Sequence, residues 1–153
     1  MTDIKKSDIC CCCGLYVKSF LCPRHRKRYI YYPEHNFIAL KPRRKISKGQ
    51  TRVFKILREI YKKPCFQEVI FPWNLFYRYD IVIPEYKTII EYDGRQHFAY
   101  VAFFHKDKED FERMKKRDKE KENIAKSNGW KVIRVNYKEK DSFIKRKLKC
   151  KIK

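Results

Sequence analysis

One ten-residue segment organises this chain: it runs from Ile89 to Phe98 and reads Ile-Ile-Glu-Tyr-Asp-Gly-Arg-Gln-His-Phe. The first half alternates like a β-strand, and Gly94 then interrupts the pattern. Glu91 and Asp93 are two residues apart, so on a strand both side chains leave the same face. Two carboxylates, a glutamine and a histidine therefore converge where the strand ends, which predicts a functional site and not a piece of core.

A second strand precedes this segment and is predicted to form a hairpin with it. Residues 77–83 read Tyr-Arg-Tyr-Asp-Ile-Val-Ile, and the next four, Pro-Glu-Tyr-Lys, are typical of a hairpin loop. With a loop of that length Ile83 pairs with Thr88, and Asp80 lies directly opposite Glu91 with the Cβ atoms about 5 Å apart. A shift of one residue in register would separate the two carboxylates.

The three carboxylates Asp80, Glu91 and Asp93 would raise one another's pKa if they were crowded together without a counter-charge. A hard divalent cation removes that repulsion, and Mg²⁺ or Mn²⁺ prefers oxygen ligands in octahedral geometry. Such an ion polarises a phosphoryl group, activates water and stabilises the leaving oxygen. The carboxylates therefore favour phosphodiester hydrolysis, with Gln96 or His97 as the side chain that positions or deprotonates the water.

Five short motifs occur together between residues 47 and 137. They are Ser47-Lys48-Gly49-Gln50, Arg78-Tyr79-Asp80, the Ile-Glu-Tyr-Asp-Gly-Arg-Gln-His run, Lys116-Arg117-Asp118, and Gly129-Trp130-Lys131-Val132-Ile133-Arg134-Val135. In this combination the chain resembles the PD-(D/E)XK nuclease superfamily. The resemblance is strongest to its very-short-patch-repair-like branch, which includes homing-type endonucleases and viral and phage nucleases.

The resemblance implies an α/β fold with a restriction-endonuclease-like core, in which a mixed sheet is flanked by helices. It also implies that Asp80 and Glu91 bind the metal. His97 would act as a general base or contact phosphate, and Asp118 would orient His97.

Two positions depart from the usual pattern of the superfamily. Asp93 stands where a lysine is often found, as it commonly does in the branch that carries Asp-Gly-x-x-His. Gln50 stands where the opening helix often carries a glutamate, which removes a charge from the expected site.

Helical spacing predicts amphipathic helices at residues 48–62 and 107–127, and a short last helix that starts near Asp141. Asp118 shares a stripe with Phe111 and Met114, so we expect it to point inward. A buried aspartate needs a partner. His97, a bound metal, or a salt bridge to a neighbouring lysine or arginine would each provide one.

Cysteines near the N-terminus have the spacing of a zinc site. Cys10, Cys13, Cys22 and His25 give the pattern C-x2-C-x8-C-x2-H, which suits tetrahedral Zn²⁺. The two residues between Cys10 and Cys13 are also cysteines and offer alternative registers, while free thiols or another metal are the competing interpretations. A closed four-ligand site is structural, and this one would present five basic side chains to phosphate: Lys18, Arg24, Arg26, Lys27 and Arg28.

The net charge of +21 is concentrated at the two ends of the chain. Residues 1–48 carry 12 basic and 3 acidic side chains, and residues 138–153 carry 8 and 2. Such a charge favours a nucleic-acid partner, because phosphate contacts release counterions. We expect further phosphate contacts from Arg43, Arg44, Lys45, Arg95, Lys145, Arg146 and Lys147.

We expect four regions: a zinc knuckle (1–28), a basic linker (29–46), an endonuclease-like core (47–137) and a basic C-terminal helix or tail (138–153). No apolar run approaches the length of a membrane span, and the N-terminus lacks the apolar stretch of a signal peptide, so we expect an intracellular protein without a membrane partner. Abundant Lys, Ile, Tyr and Phe with scarce Ala are typical of an AT-rich coding genome, such as that of an organelle, a phage or a large virus.

Two functions compete on this basis. The first is a metal-dependent endonuclease acting on DNA, with Mg²⁺ or Mn²⁺ at the carboxylates. The second is a catalytically silent nuclease fold that binds RNA as a structural component of a large ribonucleoprotein, for example an organellar ribosome. Charged termini and Gln50 favour the second function. Against it stand five residues that scaffolding does not require: Asp80, Glu91, Asp93, His97 and Asp118.

Overall fold

The computed structural model describes residues 29–40, 46–98 and 107–152. In chain order its strands and helices are β1 (Tyr29–Tyr32), β2 (Phe37–Leu40), α1 (Lys48–Ile60), β3 (Phe66–Phe71), β4 (Asn74–Ile83), β5 (Thr88–Asp93), α2 (Lys108–Ser127), β6 (Lys131–Asn136) and α3 (Asp141–Lys151). The expected zinc ligands Cys10, Cys13, Cys22 and His25 lie outside the described residues, as do Lys18, Arg24, Arg26, Lys27, Arg28, Arg43, Arg44 and Lys45.

The six strands form a mixed sheet in the order β1-β2-β3-β4-β5-β6. The pairs β1–β2, β2–β3 and β4–β5 are antiparallel, whereas β5 and β6 run parallel. The connection between β5 and β6 contains α2, as expected for a parallel pair, which requires a crossover. The mixed α/β architecture expected from the sequence is therefore confirmed.

The hairpin of β4 and β5 has the predicted register. Ile83 pairs with Thr88, Val82 with Ile89, and Ile81 with Ile90. The loop closes because Lys87 adopts a left-handed conformation with φ 43° and donates its N–H to the Pro84 carbonyl at 3.0 Å. Continuing the register by one residue places Asp80 opposite Glu91.

The chain divides into two compact units, the first of which comprises residues 1–45 and 66–79. Its described part contains β1, β2, β3 and the first six residues of β4. The linker expected for residues 29–46 is not what the structure shows, since residues 29–40 form the hairpin β1–β2. The hairpin forms because Asn36 takes the left-handed conformation that the turn needs, with φ 50°, and because Phe37 is buried against the ring of Phe66, 5.0 Å away.

The second unit comprises residues 46–65 and 80–153. Its core is formed by apolar side chains from α1, from strands β4, β5 and β6, and from α3 with the residue that follows it: Val53, Ile56, Leu57, Ile81, Ile83, Ile90, Ile133, Val135, Ile144, Leu148 and Ile152. Each fully buried aliphatic side chain contributes about 1.5–3 kcal/mol relative to an exposed one. Helix α3, which lies in the region expected to be a basic C-terminal helix or tail, is therefore part of this core.

The helix ends follow the expected capping rules. Ser47 is the N-cap of α1, and its Oγ accepts a hydrogen bond from the Gln50 N–H at 3.1 Å. Gly129 follows α2 with φ 79°, the left-handed conformation that a glycine adopts without strain. Within the described residues, no helix combines the length and the apolar character that crossing a membrane requires.

Candidate functional site

Asp80 and Glu91 lie side by side on β4 and β5, and each carboxylate accepts a hydrogen bond from the backbone of the other strand. The Asp80 N–H donates to Glu91 Oε1 at 3.2 Å, and the Tyr92 N–H donates to Asp80 Oδ2 at 2.8 Å. These reciprocal bonds fix the orientation of both carboxylates. The two acids that the sequence placed opposite each other are therefore brought together.

Glu91 is buried, with 8% of its surface exposed. Burial, together with the negative charge of Asp80, raises the pKa of Glu91 to about 8, and the ammonium of Lys121 opposes this rise. Lys121 extends from α2 and donates from Nζ to Glu91 Oε2 at 2.5 Å. Lys121 thus places a cation beside Glu91 at the acidic pair.

Asp93 does not join Asp80 and Glu91. It is 5% exposed and accepts a two-pronged interaction from Arg134 on β6, with Arg134 Nε 2.8 Å from Oδ2 and Nη2 in contact with Oδ1. Arg134 also lies 3.5 Å from Glu122 and 3.9 Å from Asp118. Burial lowers the pKa of Arg134, but Asp93, Asp118 and Glu91 outweigh burial and raise it. The metal-supporting role expected for Asp93 therefore finds no geometric counterpart, because its carboxylate is committed to Arg134.

His97 and Asp118 form a close pair, with His97 Nδ1 2.6 Å from Asp118 Oδ2. The hydrogen bond to Asp118 raises the pKa of His97 although burial opposes this. Burial would raise the pKa of Asp118, but the hydrogen bond and charge of His97 lower it overall. Since an ionised carboxylate only accepts hydrogen bonds, Nδ1 carries the proton and Nε2 is the nitrogen left for a substrate. Asp118 points inward as predicted, and its partner is His97.

The start of α1 approaches the acidic pair through Gln50. Its side chain is 4% exposed and donates from Nε2 to the Asp80 carbonyl at 2.9 Å. The preceding residue, Gly49, lies against Tyr92, because a Cβ at this position would be 2.0 Å from the tyrosine ring. Gln50 thus ties α1 to β4, and Gly49 leaves room for the ring to pack on the helix.

A divalent cation fits this site only in part. Asp80 and Glu91 provide the hard oxygen ligands that Mg²⁺ or Mn²⁺ prefers. Such an ion would also relieve the repulsion that raises the pKa of Glu91. In the described ranges, however, no three His, Cys, Asp or Glu side chains are grouped so that they could hold a metal. Asp80 and Glu91 are therefore the two residues that would bind it, and further ligands would be water or phosphate oxygens.

The residues expected to contact phosphate are placed differently from one another. Arg95 is exposed in the 3₁₀ turn Arg95–His97, whereas only the backbone of Gln96 is described. On α3, Lys145 pairs with Glu59 at 2.9 Å, and the Arg146 guanidinium lies 5.3 Å from the Phe143 ring centre. Lys147 turns inward. Its ammonium donates to the Arg134 carbonyl at 2.5 Å and to Glu139 at 2.8 Å, which does not favour a phosphate contact.

Sequence reasoning missed the roles of Lys121, Arg134 and Gly49. Lys121 follows Asp118 by three residues in α2, so its place on the same helical face was readable from the spacing. Arg134 lies between buried Ile133 and Val135 in β6, and a charged residue there signals an ion pair. No pattern in the sequence marked the contact between Gly49 and Tyr92, because they are far apart in the chain.

Two proteins of viruses are similar to parts of this chain. Uncharacterized protein 307L of Invertebrate iridescent virus 6 is 36% identical over 72 residues, which are 46% of this chain and 36% of that protein. Uncharacterized protein 094L of Frog virus 3 is 45% identical over 56 residues, which are 36% of each. The chain thus spans about a third of the length of these relatives. No protein family and no solved structure matches the chain. The relatives favour the viral source among the origins that the composition suggested.

Proposed function

We propose that this chain is a metal-dependent nuclease that hydrolyses phosphodiester bonds in DNA. The observation that carries the proposal is the pair Asp80 and Glu91, two carboxylates fixed side by side on β4 and β5. Burial and the charge of Asp80 raise the pKa of Glu91 to about 8, although the Lys121 ammonium opposes the rise. Strongly perturbed acids of this kind are concentrated at functional sites.

Asp80 and Glu91 would hold Mg²⁺ or Mn²⁺, which when bound polarises the phosphoryl group and activates water. The protein's own contribution is to keep the two carboxylates in a fixed orientation. Hydrogen bonds from backbone N–H groups of β4 and β5 hold the two carboxylates in this orientation. Gln50 adds a link from α1 to the Asp80 carbonyl.

His97 has the role of a phosphate contact, and Asp118 positions it. The hydrogen bond to Asp118 raises the pKa of His97, which favours the imidazolium over the neutral ring. A protonated ring suits contact with phosphate, or protonation of the leaving oxygen through Nε2, better than it suits removal of a proton from water. Of the two roles that the sequence left open for His97, we therefore propose the phosphate contact.

Two cations complete the proposed site. Lys121 places an ammonium beside Glu91, where it also neutralises part of the charge that develops on a transferring phosphoryl group. Arg134 binds Asp93 and lies near Asp118, so it joins the ends of β5 and β6 to the helix that carries Asp118. We assign Arg134 a positioning role.

Catalytically silent binding of nucleic acid, with RNA as the partner, is the second candidate function. The contact between Lys121 and Glu91 favours it, because a lysine already neutralises one carboxylate. Gln50 favours it too, since this residue contributes a hydrogen bond and no charge.

Cleavage of labelled DNA and structured RNA decides between the candidates, with Mg²⁺, Mn²⁺ or a chelator present. We compare the wild type with Asp80→Ala and Glu91→Ala. Glu59→Gln is the matched control, because Glu59 is an exposed acid in the same unit that pairs with Lys145. Metal-dependent cutting that is lost in both alanine variants and kept in the control supports the nuclease. Tight binding without cutting, equal in all four proteins, overturns it in favour of the second candidate.

A further inference from the structure

An aromatic pair lies beside the His97–Asp118 pair. The chain segments that follow β5 and β6 start at the same end of the sheet, because these strands are parallel neighbours. The Tyr137 N–H donates to the Asp93 carbonyl at 2.9 Å, which joins the two segments. Phe98 follows His97 directly, and its N–H donates to the Arg95 carbonyl at 3.1 Å. Backbone hydrogen bonds therefore hold both aromatic residues next to the proposed site.

The two rings are close but do not cover each other. Their centres are 6.0 Å apart and their planes are tilted by 44°. Phe98 leaves 51% of its surface exposed. An exposed aromatic ring at the rim of a site offers a flat apolar surface, and every nucleobase has a face that can stack on such a surface.

The surroundings of the rings are positive. Lys138 Nζ lies 5.7 Å from the centre of the Tyr137 ring. Arg95 is exposed, and it takes part in no ion pair among residues 29–40, 46–98 and 107–152. The carboxylates of Asp93 and Glu139 already form ion pairs within the protein, with Arg134 and Lys147 respectively. Aromatic rings bordered by cations suit a polyanion that carries bases.

We propose that Phe98 and Tyr137 form a stacking platform for a nucleobase of the substrate, with Arg95 and Lys138 contacting the adjoining phosphates. A base inside a duplex is covered on both faces by its neighbours, so the platform takes a base that is unpaired and unstacked. The substrate class is therefore nucleic acid with a single-stranded segment at the cleavage site. This inference rests on the proposed function, because it assumes that the site acts on nucleic acid.

Fluorescence of 2-aminopurine tests the platform, because stacking quenches this base analogue. The full chain is titrated, with chelator present to prevent cleavage, into a single-stranded oligonucleotide that carries one 2-aminopurine. The same oligonucleotide in a full duplex is titrated in parallel, and anisotropy gives the affinity for each. DNA and RNA versions of both substrates distinguish the two sources of the base.

The variants are Phe98→Ala, Phe98→Trp and Phe143→Ala, with folding checked by thermal unfolding. Phe143 is the matched control, because it is 45% exposed and also lies near a cation, Arg146, but on α3. We expect quenching with the single strand, and about tenfold weaker single-strand binding by Phe98→Ala with unchanged duplex binding. Phe98→Trp keeps the quenching, and Phe143→Ala leaves it unchanged.

Equal quenching and equal affinity in the wild type and Phe98→Ala overturn the platform, as does an equal loss of single-strand and duplex binding. Metal-dependent cutting that persists in that case leaves the nuclease intact. Conversely, quenching that depends on Phe98 in a chain that never cuts supports the platform and overturns the nuclease.

Discussion

Replacing Glu91 by glutamine should remove much of the pH dependence of stability between pH 5 and pH 8. Burial and the charge of Asp80 raise the pKa of Glu91 from its ordinary value of 4.5 to about 8. The folded chain therefore binds a proton in this window that the unfolded chain does not bind. The free energy of unfolding then falls as the pH rises, by at most about 1.4 kcal/mol per pH unit, or about 4 kcal/mol over the window.

Urea unfolding at intervals of half a pH unit measures this slope in the wild type, Glu91→Gln and the control Glu59→Gln. The raised pKa of His97 adds a slope of the same sign, since its contribution to stability is lost as the pH rises through the folded-state pKa. The slope that comes from His97 should remain in Glu91→Gln, and the control should match the wild type. Equal slopes in the wild type and Glu91→Gln would show instead that Glu91 titrates as an exposed acid.

Three further predictions concern residues around the acidic pair and Asp93. Arg134→Leu leaves the buried Asp93 without its counter-charge and should lower the free energy of unfolding in urea by about 3–5 kcal/mol; a loss below about 1 kcal/mol contradicts the ion pair seen between them. Asp118→Asn should destabilise the chain more at low pH than at high pH, because the stability that accompanies the raised pKa of His97 is lost as the pH rises through the folded-state pKa. Thermal unfolding over a pH series checks this, and an equal loss at every pH argues against the pair. Gln50→Glu adds a third acid beside Asp80. It should lower the free energy of unfolding in chelator and increase the stabilisation that Mn²⁺ gives. An unchanged stabilisation by Mn²⁺ would mean that position 50 lies away from the cation.

The sequence predicted the parts of the fold that depend on local pattern. The four-residue loop after Ile83 fixed the register of β4 and β5, and with it the meeting of Asp80 and Glu91. Helical spacing placed Asp118 on the inward face of α2, where it meets His97. Ser47 caps the start of α1 and Gly129 follows the end of α2, which are positions where serine and glycine are favoured.

The parts that the sequence did not predict depend on contacts between distant residues. Glu91 and Asp93 share a strand face, but the Asp93 carboxylate binds Arg134 on the neighbouring strand and does not join the acidic pair. Lys121 reaches Glu91 from a helix 30 residues later in the chain. The strands at residues 29–40 are short and lie between prolines, so the aromatic packing that stabilises them was not visible as a periodic pattern.

Under the proposed function, a divalent cation held by Asp80 and Glu91 contacts the phosphate that is cut. Cleavage of DNA in which sulfur replaces a non-bridging phosphate oxygen tests it most directly, because hard Mg²⁺ binds sulfur poorly whereas Mn²⁺ accepts it. We expect the wild type to cut this DNA slowly in Mg²⁺ and to recover in Mn²⁺, and Asp80→Asn to be inactive in both. Equal rates in the two metals, or full activity of Asp80→Asn, would contradict the account.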